Sequence, residues 1–168
     1  MHKRPTSIPV RPLFAATLAL MLAACGGGGG GGNTPAPPTT GALKVTGTVA
    51  TGAALGNVAV DIRCRVGSGT AQTAANGSYS VDFTSAALPC VVTAPVGAQA
   101  MHSVATVATA GTATANVTPL SEWVLVRISG GDVAGYITNI GSDAQAAATT
   151  TALAAALPIL RDALVDVT

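Results

Sequence analysis

The sequence predicts a mainly β protein, an antiparallel seven-stranded β-sandwich followed by a short α-helical tail. Three observations predict this fold. Aromatic residues make up 3% and charged residues 9% of the 168-residue chain, so small residues dominate it. From Leu43 onward, apolar and polar residues alternate with a period of two, as they do in half-buried strands. Glycine-containing turns separate the alternating runs at a regular spacing, which is typical of sandwiches.

The amino-terminal segment, residues 1–24, has the parts of an export signal. Lys3, Arg4 and Arg11 form a positively charged region, and a largely apolar run covers residues 13–22. An apolar run of roughly a dozen residues is too short to cross a bilayer as a helix, which needs about 20 residues. The segment is therefore expected to be a cleaved signal peptide rather than a permanent membrane span.

The end of this segment carries a motif for lipid attachment. Residues 22–25 read Leu-Ala-Ala-Cys, which resembles the lipobox of bacterial lipoproteins. The resemblance implies cleavage before Cys25, a diacylglycerol on the Cys25 sulfur and acylation of the new amino group, so that the membrane is a partner. Gly26 follows where an aspartate would resemble an inner-membrane retention signal, and this favours the outer membrane of the cell envelope. The alternative is an ordinary secretory signal with a chance cysteine.

Residues 25–42 are expected to be a lipidated cysteine with a tether. Seven consecutive glycines begin at Gly26, and they bury nothing and lose much entropy on ordering. The proline-rich stretch 33–40 favours an extended chain. Because 17 residues follow Cys25 up to Ala42, the fully extended tether is about 55–60 Å long. It would hold a folded domain near a membrane.

The predicted sandwich covers residues 43–117. Its clearest strand is 58–66, where apolar residues alternate with Asp61, Arg63 and Arg65. Asn76-Gly77 predicts a hairpin turn because both of its positions favour positive φ. The seven candidate strands are 43–49, 58–66, 70–74, 79–83, 90–94, 101–108 and 112–117.

Residues 45–62 and 74–83 resemble the carboxypeptidase regulatory-like domain, a transthyretin-type (prealbumin-like) sandwich. The matching residues are Gly47, Val49, Gly52, Val58, Val60, Asn76, Gly77, Tyr79 and Val81. Such domains are similar to starch-binding folds and often serve as accessory modules of secreted proteins, which implies carbohydrate binding as one possible role. A sugar-stacking site needs exposed aromatic side chains, whereas the sandwich supplies only Tyr79, which is expected to be buried.

Two cysteines remain in the predicted domain after Cys25. Cys64 and Cys90 are an even pair in a compartment that is expected to be oxidising, so a disulfide is predicted. It would close a loop of about 27 residues and stabilise the fold by about 3–4 kcal/mol. Two free thiols or a metal pair are the alternatives. No further metal ligands cluster around either cysteine in the sequence, and no metal or cofactor is expected.

The tail, residues 118–168, is expected to be helical. Thr118 can cap a helix that has Pro119 in its first turn, and Gly130-Gly131 would end it. The stretch from Asn116 to Gly131 resembles a helix that follows this sandwich in some bacterial surface lipoproteins. In this helix Trp123 is interpreted as a core residue rather than a ligand platform.

Two more helices are predicted in the tail. Ser142 begins a capping box before an alanine-rich helix that is expected to end near Ala156, and Pro158 would open a last helix. The helices either pack on the sandwich, or a missing partner leaves the tail mobile with the Leu164 side exposed. Loose packing is favoured over a dedicated interface.

The residues after Cys25 carry few groups for catalysis. Five basic residues stand against the seven acidic ones, giving a formal net charge of −2, which speaks against nucleic acid as a partner. His102 is the one histidine after Cys25, and no Gly-x-Ser-x-Gly motif accompanies it. Asp61, Arg63 and Arg65 are interpreted as a solvated strand face, with an anion site as the alternative.

The expected function is therefore that of a lipid-anchored binding or structural module without catalytic residues. Its expected partner, apart from the membrane, is a glycan or an envelope protein. A carbohydrate-binding accessory domain is the alternative.

Overall fold

A computed structural model describes residues 38–165 of the chain, with side-chain surroundings for residues 38–162. The predicted signal peptide, Cys25 and most of the tether lie outside the described residues. The described elements are β1 (Gly41–Thr48), β2 (Ala59–Val66), β3 (Ser68–Gln72), β4 (Ser78–Val96), β5 (Gln99–Ala105), β6 (Thr112–Thr114), α1 (Pro119–Ile128), α2 (Val133–Thr138) and α3 (Asp143–Val165).

The strands form an open mixed sheet in the order β3-β2-β4-β1-β6, and β5 also pairs with β4. The prediction of a mainly β fold with a helical tail is confirmed. β1 and β6 run parallel, whereas the other pairs are antiparallel. The described residues contain six strands rather than seven, because the predicted strands 79–83 and 90–94 are parts of β4. No glycine or asparagine separates them, so the residues most suited to positive φ in a tight turn are missing there.

The 19-residue strand β4 connects the two parts of the sheet. Its first half pairs with β1, from Thr48 opposite Ser78 to Gly41 opposite Ala86. Its second half pairs with β2 on one side and β5 on the other. β1 and β2 therefore do not pair with each other but are joined through β4, because each pairs with a different half of it.

Apolar residues from both parts of the sheet pack into one core. The alternation predicted for β2 is present, since Val60, Ile62 and Cys64 are buried while Asp61 and Arg63 are exposed. The buried members of this first core are Leu43, Val45, Val49, Val60, Ile62, Cys64, Tyr79, Ala86, Cys90, Val92, Ala94, Ala105, Ala113, Ala115 and Val117.

The two cysteines of this core lie directly opposite each other on β2 and β4. Their sulfur atoms are 1.98 Å apart, which is the distance of a disulfide bond. The relative exposure of Cys64 is 4% and that of Cys90 is 0%, so solvent does not reach the bond in the folded domain.

The first helix follows the predicted pattern. Thr118 is the N-cap of α1, its hydroxyl accepts the backbone N–H of Ser121, and Pro119 lies in the first turn. The helix ends at Ile128, just before Gly130 and Gly131, both of which have positive φ. These residues therefore do what their conformational preferences predict.

The rest of the tail differs from the prediction in two ways. The short helix α2, capped by Asp132, was not expected. The expected break at Pro158 is wrong, because α3 continues through Pro158 as one 23-residue helix. Alanine and leucine fill most positions just before the proline, and Leu160, Ala163 and Leu164 follow it; both residue types have high helix propensity.

A second core joins the tail to the sheet. Val91 of β4 points away from the first core and is buried against Leu125, Tyr136 and Ile140 of the tail. The partly buried side chains of Val104, Ile128, Val133 and Ile137 complete this core. Of the two expectations for the tail, packing on the sheet is therefore the one that its described part shows.

Candidate functional site

The outer face of the sheet, the face that carries Val91, is where charged residues and helices meet. Across β2, β4 and β5, Asp61 is opposite Thr93, which is opposite His102. Paired residues of antiparallel strands present their side chains on the same face, so this row faces the same way as Val91. The outer face therefore combines a polar row with the apolar row that the helices cover.

Hydrogen bonds between His102 and Glu122 attach α1 to this face. Oε2 of Glu122 lies 2.8 Å from Nδ1 of His102 and also accepts the backbone N–H of His102 at 2.5 Å. The Ser121 hydroxyl donates to the carbonyl oxygen of His102 at 2.8 Å. The side chains of His102 and Glu122 are 12% and 25% exposed. The single glutamate of the chain thus holds the first turn of α1 on β5.

The contacts of Ser121 and His102 also show whether the two residues are arranged for hydrolysis. A hydrolytic triad needs a serine hydroxyl at a ring nitrogen of the histidine. The Ser121 hydroxyl instead donates to the backbone carbonyl oxygens of His102 and Thr118, which is a capping arrangement. The geometry of these three residues therefore serves helix attachment, and Ser121 is not placed as a nucleophile that His102 activates.

An ion pair attaches α3 to the sheet. The guanidinium of Arg65 binds the carboxylate of Asp143, which lies in the first turn of α3. The Arg65 side chain is 17% exposed, and its Nε is buried without a hydrogen-bond partner among the described residues. The interpretation of a solvated strand face therefore holds for Asp61 and Arg63, but it is wrong for Arg65, which the tail covers.

An open groove of about 820 Å³ lies beside these contacts, between the outer face of β2 and β3 and helix α2. Its polar lining comes from Asp61, Arg63, Ser68, Thr70 and Thr93, and Ile137 closes one side. Both charged residues are exposed and of opposite sign. The groove can hold a small polar or zwitterionic group, but its lining does not select one.

No metal site stands out in the part of the chain that the structure describes. Within it, no three His, Cys, Asp or Glu side chains are grouped closely enough to hold a metal ion.

An apolar surface on α1 is the other candidate site. The interpretation of Trp123 as a core residue is wrong, because this side chain is 43% exposed, next to Leu120 at 45% and Val126 at 40%. Val124 and Leu125 are the buried residues of this helix, and Leu125 packs against Val91 of the sheet. At 100° per residue the other three point away from it. Leu120, Trp123 and Val126 are called the Trp123 face below.

Both tyrosines belong to the structural framework rather than to a site. The Tyr79 hydroxyl donates to the backbone carbonyl of Ala115, and the Tyr136 hydroxyl hydrogen-bonds Thr149 at 2.6 Å. Burial raises the pKa of both phenols above its ordinary value. Tyr79 is buried, as expected. Among the aromatic residues between 38 and 162, only Trp123 is strongly exposed.

The sequence matches no protein-family model and no curated protein. Between residues 38 and 165, no helix is both long enough and apolar enough to cross a membrane.

Proposed function

We propose that this protein is a lipid-anchored binding or structural module of the bacterial cell envelope, without catalytic activity of its own. Anchoring is supported by the Leu-Ala-Ala-Cys motif at 22–25, which follows a charged and then an apolar segment. Acyl chains on Cys25 would hold the chain by hydrophobic burial, and two or more chains make such an anchor stable. The outer membrane is the proposed location because glycine, not aspartate, follows the cysteine.

The observation that carries the binding role is the Trp123 face. Its helix is fixed to the sheet by the second core and by the hydrogen bonds of Ser121 and Glu122 with His102. An exposed apolar patch with a large aromatic side chain, on a helix that is held in place, marks an interaction site or a liability for aggregation. Rigid presentation of one aromatic anchor is typical of binding surfaces.

The proposed architecture beneath this surface is a transthyretin-type sandwich. It is supported by the two halves of β4, which pair with β1 and with β2, and by the first core, to which both β1 and β2 contribute. A sandwich of this type would act as a rigid scaffold for the helical layer.

Lipidation is tested in the native host with the full chain. The mass of the amino-terminal peptide should correspond to a triacylated Cys25 in the unmodified protein, and Cys25→Ser should abolish the added mass. The variant Gly26→Asp keeps the cysteine and serves as the control. It should stay lipidated and move from the outer-membrane to the inner-membrane fraction. An unmodified Cys25 in the mature protein would contradict the proposal.

Carbohydrate binding is the second candidate, and the exposure of Trp123 is the observation that favours it. An exposed indole can stack on the apolar face of a sugar ring. On a glycan array, saturable binding that Trp123→Ala abolishes and Trp123→Phe partly retains would support this role. Binding that both variants leave unchanged, or no binding at all, would argue against it.

A further inference from the structure

We propose that the Trp123 face docks on the surface of the membrane that carries the anchor, so that α1 lies against the lipid headgroups. The inference rests on the proposed function, because the lipid anchor is what would concentrate the domain at the membrane. The apolar and charged composition of the face is independent of the anchor. The proposed partner is a phospholipid bilayer.

The first argument is the reach of the chain. The folded part begins with β1 at Gly41, so 15 residues separate it from Cys25. These residues span at most about 50–54 Å, which confines an anchored domain to the immediate vicinity of the bilayer. A tether of this length gives a high effective concentration, and a face that binds lipid weakly in solution would then be occupied most of the time.

The second argument is the residue types of the face. Tryptophan is enriched at the membrane–water interface, where the indole is partly apolar and its N–H stays hydrated. Leu120 and Val126 flank Trp123 on the helix and would enter the boundary between headgroups and acyl chains. The face is thus small and apolar, which suits an interfacial contact and not a transmembrane one.

The third argument is charge. Arg127 is exposed one turn from Trp123, and its long side chain can reach phosphate groups while its apolar stem follows the helix. The nearest acid in sequence, Glu122, is turned toward His102 and is mostly covered. Arg127 therefore offers one positive charge beside the face, and it can pair with the phosphate group that a phospholipid headgroup carries.

Trp123 itself reports the contact because it is the one tryptophan of the chain. The mature chain from residue 25, with Cys25→Ser to remove the lipid, is titrated with vesicles of phosphatidylethanolamine and phosphatidylglycerol that carry brominated acyl chains. Trp123 emission should shift to shorter wavelength and be quenched at high lipid concentration. With the natural lipidated protein reconstituted in the same vesicles, quenching should be present without any excess of lipid.

A matched pair of variants distinguishes docking at this face from non-specific adsorption to lipid. Leu120→Asp should raise the lipid concentration for half-maximal quenching by at least about tenfold, because a leucine no longer enters the lipid. Leu157→Asp should leave it unchanged. Leu157 is also exposed, at 51%. It points away from the crevice between α1 and α3, which α3 lines with Ala152, Ala155, Ala156 and Ile159.

The outcomes distinguish the docking from the anchor. Vesicle-bound lipidated protein whose Trp123 stays unquenched overturns the docking and leaves the anchor intact. A mature protein without lipid overturns the anchor, and the titration of the Cys25→Ser chain then decides the docking alone. A blue shift that depends on protein concentration in the absence of vesicles overturns the choice of partner and assigns the face to a second copy of the chain.

Discussion

Replacing Gly47 with alanine should strongly destabilise the domain, although Gly47 lies within a regular strand. A Cβ atom at this position would overlap the carbonyl oxygen of Ala115 and lie 2.7 Å from the hydroxyl of Tyr79. Those two groups are hydrogen-bonded to each other, and both residues are at least 95% buried. The extra methyl group therefore meets a backbone segment and a buried side chain, neither of which has free space to move into.

The magnitude follows from three contributions. Forcing a methyl group into a packed site costs about 1–3 kcal/mol. Separating the Tyr79 hydroxyl from its buried acceptor costs about 1–3 kcal/mol more. The lower entropy of the unfolded alanine chain offsets about 0.4–1 kcal/mol. The free energy of unfolding should therefore fall by about 3 kcal/mol, and Tyr79→Phe, which removes only the hydrogen bond, should account for about 1 kcal/mol of it.

Urea unfolding followed by far-UV circular dichroism measures this change. Gly41→Ala is the matched control, because Gly41 is in the same strand and a Cβ there meets nothing within 4 Å. Its free energy of unfolding should stay within about 0.5 kcal/mol of the natural protein. The reasoning is refuted if Gly47→Ala is no less stable than Gly41→Ala.

Three further predictions concern the framework. Reducing the Cys64–Cys90 disulfide should lower the free energy of unfolding by about 3–4 kcal/mol in urea titrations with and without reductant, and alkylation of the native fold without reductant should label neither cysteine. Asp143→Asn leaves the covered Arg65 without its ion pair, so hydrogen exchange of the α3 amides should accelerate. The control Asp162→Asn, which removes an exposed ion pair, should leave the exchange rate unchanged. Equal effects of the two variants would contradict the attachment role of Asp143. Because burial raises the pKa of both buried tyrosines, stability should be intact below pH 10, near the pKa of the unfolded phenols, and then fall by up to about 1.4 kcal/mol per pH unit for each tyrosine. Replacing both tyrosines with phenylalanine should flatten this decline, and an unchanged slope would show that other groups cause it.

The strands and helix ends that were predicted correctly depend on neighbours in sequence. The buried alternation of Val60, Ile62 and Cys64 in β2 is a local pattern, and so are the Thr118 cap and the Gly130 end of α1. Two strands are predicted where the structure has only β4, because a strand is recognised in the sequence by its run of apolar residues. The intervening residues 84–89 are small or apolar and are compatible with either a turn or a continued strand.

Trp123 shows where a helical pattern alone is insufficient. Residues 120, 123, 124 and 128 have helical spacing, which predicts one buried stripe, but Leu125 and Val126 are apolar as well and lie outside it. The side that becomes buried is chosen by Val91 and Val104 of the sheet, which receive Leu125. Hydropathy along the helix cannot make that choice, because the deciding residues are on other elements.

Two side-chain pairs, one of them an ion pair, explain both why the tail packs on the sheet and why its exposed face could not be anticipated. Arg65 and Asp143 are 78 residues apart, and His102 and Glu122 are 20 apart, so no local motif connects them. Each pair joins the outer face of the sheet to the first turn of a helix, where a carboxylate is also favoured by the helix dipole. With both helices held at their amino-terminal ends, α1 has little freedom to rotate and bury its tryptophan. The exposure of Trp123 is then a consequence of how the tail is attached to the sheet.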